Sequence, residues 1–246
     1  MKITVFGASG GVGTQLVNLA VQRGHEVRAV YRAIPENPAP AGAEILVSPD
    51  IFDRGFAARA ARGAGAVVTA VGPNFARRHN ARTQLISPSD LHQRLARTLV
   101  AALRESGSRP TLICVSTGSM GPADAAMGPG ARLLFRFLRT VMVPNLSTIG
   151  RDAEAMEQEL AASGLDWYAV RPVKLTDGPL TGQVQASSHF AMKTLSRADV
   201  AWYILGLAED PALRTERTPI ITSARRSKSR PAGLEDVAPQ QAPSAR

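Results

Sequence analysis

The chain begins Met1-Lys-Ile-Thr-Val-Phe-Gly-Ala-Ser-Gly-Gly-Val-Gly13, an apolar run that passes into glycines. The β-branched and aromatic side chains of residues 3–6 predict a buried strand, and the proline-free residues 14–23 have a helical period. A strand, a glycine turn and a helix in that order provide the context that a phosphate-binding loop needs. The first glycine permits a tight turn, the second lets the backbone approach a phosphate, and the third lets the helix pack on the strand. We therefore predict that this turn binds a dinucleotide through Gly7, Ser9, Gly10, Gly11, Val12 and Gly13.

The residue after the second predicted strand, residues 26–31, bears on the choice of cofactor. A site for NAD(H) usually has an acidic residue about 20 positions beyond the glycines, where it accepts a hydrogen bond from the ribose 2′-hydroxyl. This chain has Arg32 there and no acidic residue before Glu36. A guanidinium pairs with a 2′-phosphate, which an acidic side chain would repel. The sequence favours NADP(H), with NAD(H) as the alternative; the simpler interpretation is an exposed arginine that ends a strand.

Composition narrows the class of protein. A chain of 246 residues with 44% hydrophobic residues fits one large α/β domain. The single cysteine, Cys114, excludes a disulfide framework, and with only four histidines we expect no metal site. No apolar run is long enough to span a bilayer, so we expect a soluble, cytoplasmic protein. The net charge is +9, but no helix or strand gathers it into a basic stripe, so we expect no nucleic-acid partner.

Strand and helix patterns alternate along the chain, which predicts a parallel sheet with helices on both faces. Further strands are predicted at 44–47, 66–71, 111–115, 167–170 and 219–222, the last at an edge, and further helices at 53–61, 91–106, 132–143, 151–163 and 197–207. Ser89 and Asp90 are the predicted cap of the helix at 91–106. The lateral direction reverses after the third strand, so we expect the ligand crevice at the carboxyl ends of the first and fourth strands. The predicted fold is a Rossmann-like, doubly wound, mostly parallel α/β domain at 1–224, which includes a small C-terminal segment on the substrate side. A disordered basic tail is predicted at 225–246.

Several segments are more specific than this pattern. They are Gly7-Ala-Ser-Gly-Gly-Val-Gly13, Val30-Tyr-Arg32, Cys114-Val-Ser-Thr117, Ser163-Gly-Leu-Asp-Trp-Tyr-Ala-Val-Arg-Pro172 and Asp177-Gly-Pro-Leu-Thr-Gly182. Together they resemble the atypical short-chain dehydrogenase/reductases with an NAD(P)-binding Rossmann fold, and the resemblance covers about residues 1–222. The first and fourth segments are shared with NmrA-like regulators, whereas the last is most similar to the biliverdin-IXβ/flavin reductase branch.

The resemblance implies candidate catalytic residues after the fifth and sixth strands. Thr117 would lie near the nicotinamide and the substrate, with Ser116 beside it, and Lys174 would face the crevice from a loop. Gly72 and Pro172, at the ends of the fourth and sixth strands, complete the expected cofactor site. The simpler interpretation is that the two hydroxyls satisfy a strand-end turn and that the lysine is solvated.

The resemblance also implies a function, together with one departure from the family. Most short-chain dehydrogenases use Tyr-x-x-x-Lys after the fifth strand, where this chain has Ile149 and Ala153. The implied activity is NADPH-dependent hydride transfer to a planar acceptor such as a flavin, a quinone or a tetrapyrrole, since the proton can then come from solvent. The alternative is a non-catalytic, NADP(H)-sensing protein of the NmrA-like kind. The sequence leaves a monomer and a homodimer equally open.

Overall fold

The computed structural model describes residues 1–35, 39–72, 88–117, 130, 133, 144–188 and 193–224, without the side chains of 144–147. The predicted helix at 132–143, nearly all of the loops at 73–88 and 120–130, and the predicted tail at 225–246 lie outside the described residues. Within these ranges, no helix is long and apolar enough to cross a membrane.

An eight-stranded sheet runs through the described part of the chain in the order β3-β2-β1-β4-β5-β6-β10-β8. Its strands are β1 (Lys2–Phe6), β2 (Glu26–Tyr31), β3 (Ala43–Val47), β4 (Ala66–Thr69), β5 (Thr111–Val115), β6 (Trp167–Pro172), β8 (Val184–Ser187) and β10 (Ile220–Ser223). All adjacent pairs are parallel except β10 and β8, which are antiparallel. Two short strands, β7 (Lys174–Thr176) and β9 (Thr194–Ser196), form a separate parallel pair.

In the described part of the chain, five α-helices with bounds that the structure defines cover the two faces of the sheet. They are α1 (Gly11–Gln22), α2 (Arg54–Ala61), α3 (Leu91–Ser106), α4 (Pro144–Ala161) and α5 (Arg197–Glu209). Alternate strand residues face opposite sides, as the twofold period of a strand requires. Val5 therefore packs in the cluster that includes α1 and α5, whereas Phe6 packs in the cluster of α2, α3 and α4. This arrangement confirms the doubly wound α/β prediction.

The predicted reversal after the third strand is also confirmed, because β4 pairs with β1 on the side opposite to β2. The carboxyl ends of β1 and β4 are therefore adjacent, and ligands of open α/β sheets bind at such a crevice. The prediction that the last strand is an edge strand is wrong. Ile220–Ser223 lies inside the sheet, because the short polar strand Val184–Ser187 pairs along its outer side.

Candidate functional site

The turn between β1 and α1 brings three chain segments close together. Gly7 has a φ of +83°, which side chains disfavour, and a Cβ at this position would lie 2.8 Å from the carbonyl carbon of Ala70. A Cβ on Gly13 would lie 2.1 Å from the carbonyl oxygen of Gly7. The first and third glycines of the motif therefore permit a tight turn beside β4 and close packing of α1 on that turn, as their spacing predicts.

Among the described residues, nothing pairs with the first backbone amides of α1 at this turn. Gly10 is the N-cap residue; its own amide donates to the Gly7 carbonyl at 3.0 Å, and no side chain caps the helix. The next three amides, of Gly11, Val12 and Gly13, have no intrahelical acceptor by helix geometry. The first turn contains no acidic residue, and Ser9 and Gly11 are exposed. This backbone fits an anionic group such as a diphosphate.

Arg32 directly follows β2, next to the turn, because β2 pairs with β1 in parallel. Its side chain is exposed, and within the described ranges no hydrogen bond or ion pair involves it. The guanidinium is therefore available to a ligand that occupies the carboxyl edge of the sheet.

The other predicted residues also follow the carboxyl ends of parallel strands, so the topology brings them to the same edge. Gly72 lies shortly after β4 and is exposed, Thr117 follows β5 and is half-buried, and Pro172 is the buried last residue of β6. Lys174 lies in β7, where it pairs in register with Thr194, rather than in the predicted loop. Its side chain is exposed.

Ser116 belongs to a polar cluster that the sequence did not indicate. Its hydroxyl donates to Glu157 Oε1 at 2.7 Å, and Arg171 Nε donates to the same oxygen at 2.9 Å. A second contact joins Arg171 Nη2 to Glu157 Oε2. The Arg171 and Glu157 side chains are only 9% and 12% exposed. Because the Ser116 proton is directed to a carboxylate, its oxygen faces any neighbouring ligand as an acceptor.

The segment 177–182, the sequence most similar to the flavin reductase branch, is held by hydrogen bonds to the first turn of α5. Asp199 is 3% exposed and accepts hydrogen bonds from the amides of Thr181 and Gly182, both at 2.8 Å. Two hydroxyls, Thr181 Oγ1 at 3.0 Å and Ser196 Oγ at 2.8 Å, complete its contacts. At the other end of the segment, Asp177 accepts from Arg197 Nη1 at 2.5 Å. The motif thus has a structural explanation in the Asp199 carboxylate.

A buried histidine that the sequence did not single out joins α3 and α4 to the end of β4. His92 Nδ1 lies 2.7 Å from Asp152 Oδ2, and His92 Nε2 lies 3.1 Å from the Val71 carbonyl oxygen. Asp152 also accepts from the backbone amides of His92 and Gln93, at 2.9 Å each, so this aspartate caps α3. Asp90 occupies the N-cap position of α3, as predicted, but its backbone is not extended and its side chain makes no capping bond. Burial by itself would raise the pKa of Asp152, but the hydrogen bonds from His92 and Gln93 outweigh it and lower this pKa.

A groove of about 410 Å³ lies between the N-terminal parts of α2 and α3. It is lined by Phe52, Arg54, Asp90, Arg94, Arg97 and Thr98. The Arg94 guanidinium stacks on the Phe52 ring at 4.2 Å from its centroid. None of the predicted site residues lines this groove, so it is separate from the glycine turn. No group of three metal-ligating side chains occurs among the residues described.

Comparisons with known proteins agree with this geometry. A family model described as NAD(P)H-binding matches residues 7–211. The uncharacterized Bacillus subtilis protein YwnB is 25% identical over 234 residues, which are 91% of this chain and 100% of the relative. The family match begins at Gly7, the first glycine of the turn.

The solved structures that resemble this chain include reductases. ChuY, an anaerobilin reductase from Escherichia coli O157:H7, has a TM-score of 0.68 and 24% identity, covering 94% of this chain and 100% of its own. SP1627 from Streptococcus pneumoniae, assigned as an NADH-flavin reductase, has a TM-score of 0.65 and 22% identity, covering 91% of this chain and 99% of its own. The NAD(P)-binding Rossmann-like domain expected from the sequence is therefore confirmed, and its structural neighbours include an anaerobilin reductase and an NADH-flavin reductase.

Proposed function

The chain belongs to the NAD(P)H-binding family whose model spans residues 7–211, and on that basis we propose that it is an NADPH-dependent reductase of a planar acceptor. The observation that carries the proposal is the N-terminus of α1, where the amides of Gly11, Val12 and Gly13 lie uncapped at the carboxyl edge of the sheet. Amides in this arrangement bind the diphosphate of a dinucleotide.

The preference for NADPH rests on Arg32. Its exposed guanidinium follows β2, the strand end at which dinucleotide folds contact the adenosine ribose. A planar guanidinium can bind a 2′-phosphate through two parallel hydrogen bonds. NADH lacks this phosphate and would gain nothing from the arginine.

The acceptor side of the site is built from Ser116, Thr117 and Lys174. The nicotinamide, when bound, supplies a hydride, and the protein has to orient the acceptor and exclude competing chemistry. Ser116 presents an acceptor oxygen because its proton is held by Glu157. Thr117 is the next residue along the same strand end, and the exposed Lys174 can hold an anionic group of the acceptor. A flavin phosphate and a tetrapyrrole propionate are groups of this kind.

The alternative function is cofactor sensing without turnover. Ile149 and Ala153 lie on α4 at the positions where the sequence comparison places the tyrosine and lysine of ordinary short-chain dehydrogenases. Neither side chain can transfer a proton. Hydride transfer to an electron-poor flat acceptor tolerates this loss, whereas reduction of an ordinary carbonyl does not.

The first experiment is a calorimetric titration with NADPH and with NADH. We expect NADPH to bind more tightly, and we expect Arg32→Gln to weaken NADPH binding about tenfold or more, with little effect on NADH. The control is Arg62→Gln, which removes an exposed arginine that follows the C-terminus of α2, remote from the glycine turn. Equal affinities for the two nucleotides would overturn the preference, and no binding of either would overturn the proposal.

The second experiment measures the loss of the near-ultraviolet absorbance of NADPH when FMN, FAD, a quinone or a linear tetrapyrrole is supplied. Turnover with any of these acceptors supports the reductase. Tight NADPH binding without oxidation by any of them would favour the sensing protein instead.

A further inference from the structure

The phosphate-binding motif does not explain the glycine at position 11, whereas the packing around it does. Its φ is not positive, so its backbone conformation does not require glycine. A Cβ at this position would lie 2.4 Å from Cδ and 2.8 Å from Nε of Arg197. The side chain of Arg197 therefore extends from the first turn of α5 across the first turn of α1. The missing side chain at Gly11 makes room for this arginine.

The position of Arg197 is electrostatically unusual. The N-terminus of a helix carries a partial positive charge, so a cation beside it is unfavourable unless an anion lies nearby. The first turn of α1 contains no acidic residue. Across the described ranges, the one carboxylate paired with Arg197 is that of Asp177, which is 89% exposed. A guanidinium has five donors, and this single bond at 2.5 Å leaves most of them available.

We propose that Arg197 is a ligand of the cofactor diphosphate and that Asp177 is the partner it exchanges for this diphosphate. This inference rests on the proposed function, because it takes the ligand of the glycine turn to be a dinucleotide. A diphosphate at the amides of Gly11, Val12 and Gly13 supplies the anion that the arrangement lacks. Arg197 can bind it bidentately, and the negative charge then lies between the helix terminus and the guanidinium.

The exchange also connects the cofactor to segment 177–182, which directly follows the strand that contains Lys174. Asp177 is the first residue of segment 177–182, whose other end is held independently by Asp199. If Arg197 binds the diphosphate instead, the segment loses its contact at Asp177 but keeps its hydrogen bonds to Asp199 at Thr181 and Gly182. Binding of the cofactor would thus change the position of segment 177–182 through the contact that Arg197 gives up.

The test compares NADPH dissociation constants of matched variants by calorimetry. We expect Arg197→Met to bind NADPH about 10- to 100-fold more weakly, since a charge-assisted hydrogen bond is lost. We expect Asp177→Asn to bind it more tightly, since the competing carboxylate is removed. If the ion pair only holds the fold, both substitutions break the same contact and both weaken binding, which would overturn the proposal.

The control is Arg23→Met. Arg23 lies just after α1 and pairs with Glu209, the last residue of α5. This variant therefore breaks an ion pair between the C-terminal ends of α1 and α5, whereas Arg197 lies where their N-terminal ends meet. We expect unchanged NADPH affinity. Urea unfolding of each variant establishes that it is folded. The variant Arg197→Lys keeps the positive charge but loses the planar guanidinium that donates two parallel hydrogen bonds, so it should bind NADPH with intermediate affinity.

A second probe, 2′-AMP, separates the diphosphate from the ribose phosphate. Arg32→Gln should weaken binding of 2′-AMP, whereas Arg197→Met should leave it unchanged because this probe has no diphosphate. An equal loss of 2′-AMP affinity in Arg197→Met would overturn the inference. If the wild-type protein binds neither NADPH nor NADH, the proposed function fails first; if it binds NADPH and Arg197→Met binds it equally well, the further inference alone fails.

Discussion

Substituting Gly13 by alanine sets two effects of opposite sign against each other. Alanine in place of a helical glycine ordinarily stabilises by up to about 1 kcal/mol. At Gly13, however, the added Cβ would lie 2.1 Å from the Gly7 carbonyl oxygen and 2.9 Å from the Gly7 carbonyl carbon. Ordinary van der Waals contact begins near 3.4 Å, so the overlap with the oxygen is 1.3 Å.

The overlap at Gly13 cannot be relieved by a side-chain rotation, because both neighbouring atoms belong to the backbone. The helix has to move away from the β1 turn instead. Overpacking of this kind costs about 1–3 kcal/mol and occasionally more. We therefore expect Gly13→Ala to lower the free energy of unfolding by about 2 kcal/mol in spite of its better helix propensity.

Gly206 provides the matched control, because it lies inside α5 and receives the same substitution. Its Cβ would lie 3.1 Å from Cδ1 of Leu213, the end of a flexible side chain that can shift. We expect Gly206→Ala to range from neutral to about 1 kcal/mol more stable.

The assay is urea unfolding of the two variants and the wild type, with the slope m checked for constancy. A calorimetric titration with NADPH then follows. Gly13→Ala should also lose NADPH affinity, because a displaced α1 moves the amides of the glycine turn. Equal stability of the two variants would refute the reasoning, since it would mean that the close approach at Gly13 carries no cost.

Three further predictions concern buried polar groups and the single thiol. Replacing Asp199 by alanine leaves the amides of Thr181 and Gly182 without their acceptor, so we expect a loss of about 3 kcal/mol in urea unfolding. The folded-state pKa of Asp152 is below its ordinary value of 3.8, so its ionised form stabilises the fold above that pH and the contribution disappears as the pH falls further. The stability difference between wild type and Asp152→Asn should accordingly be constant near neutrality and shrink below about pH 4 in chemical denaturation. Burial raises the pKa of Cys114 to about 12, so iodoacetamide at pH 8 should label this thiol only as fast as the protein unfolds, and rapid labelling under native conditions would contradict its burial.

Much of the fold could be predicted from the sequence because its signals are local. The glycine turn, Arg32 after β2 and the bounds of α3 each depend on neighbouring residues. The α3 prediction agrees with the structure residue for residue, over Leu91–Ser106. The strand order was also accessible, since alternating strands and helices in a parallel sheet restrict the topology.

The parts that could not be predicted depend on partners distant in the chain. Asp152 caps a helix that begins 61 residues earlier, and nothing near Leu91 reveals it. Val184–Ser187 has only four residues, too few for a strand pattern to stand out, and its pairing partner β10 lies more than 30 residues further along the chain. Glu157 and Arg171 are 14 residues apart on different elements. The partner of Gly11 is equally distant, because the side chain that occupies the space beside it belongs to Arg197 at the start of α5.

The capping of α3 by Asp152 has a consequence for the order of folding. The carboxylate that completes the first turn of α3 belongs to α4, so α3 gains these bonds only after the intervening chain has closed a loop of 60 residues. Closing such a loop costs entropy before any contact repays it. During synthesis, a nascent chain cannot complete the start of α3 until residue 152 has left the ribosome, and the half that follows β4 has to assemble as one cooperative unit.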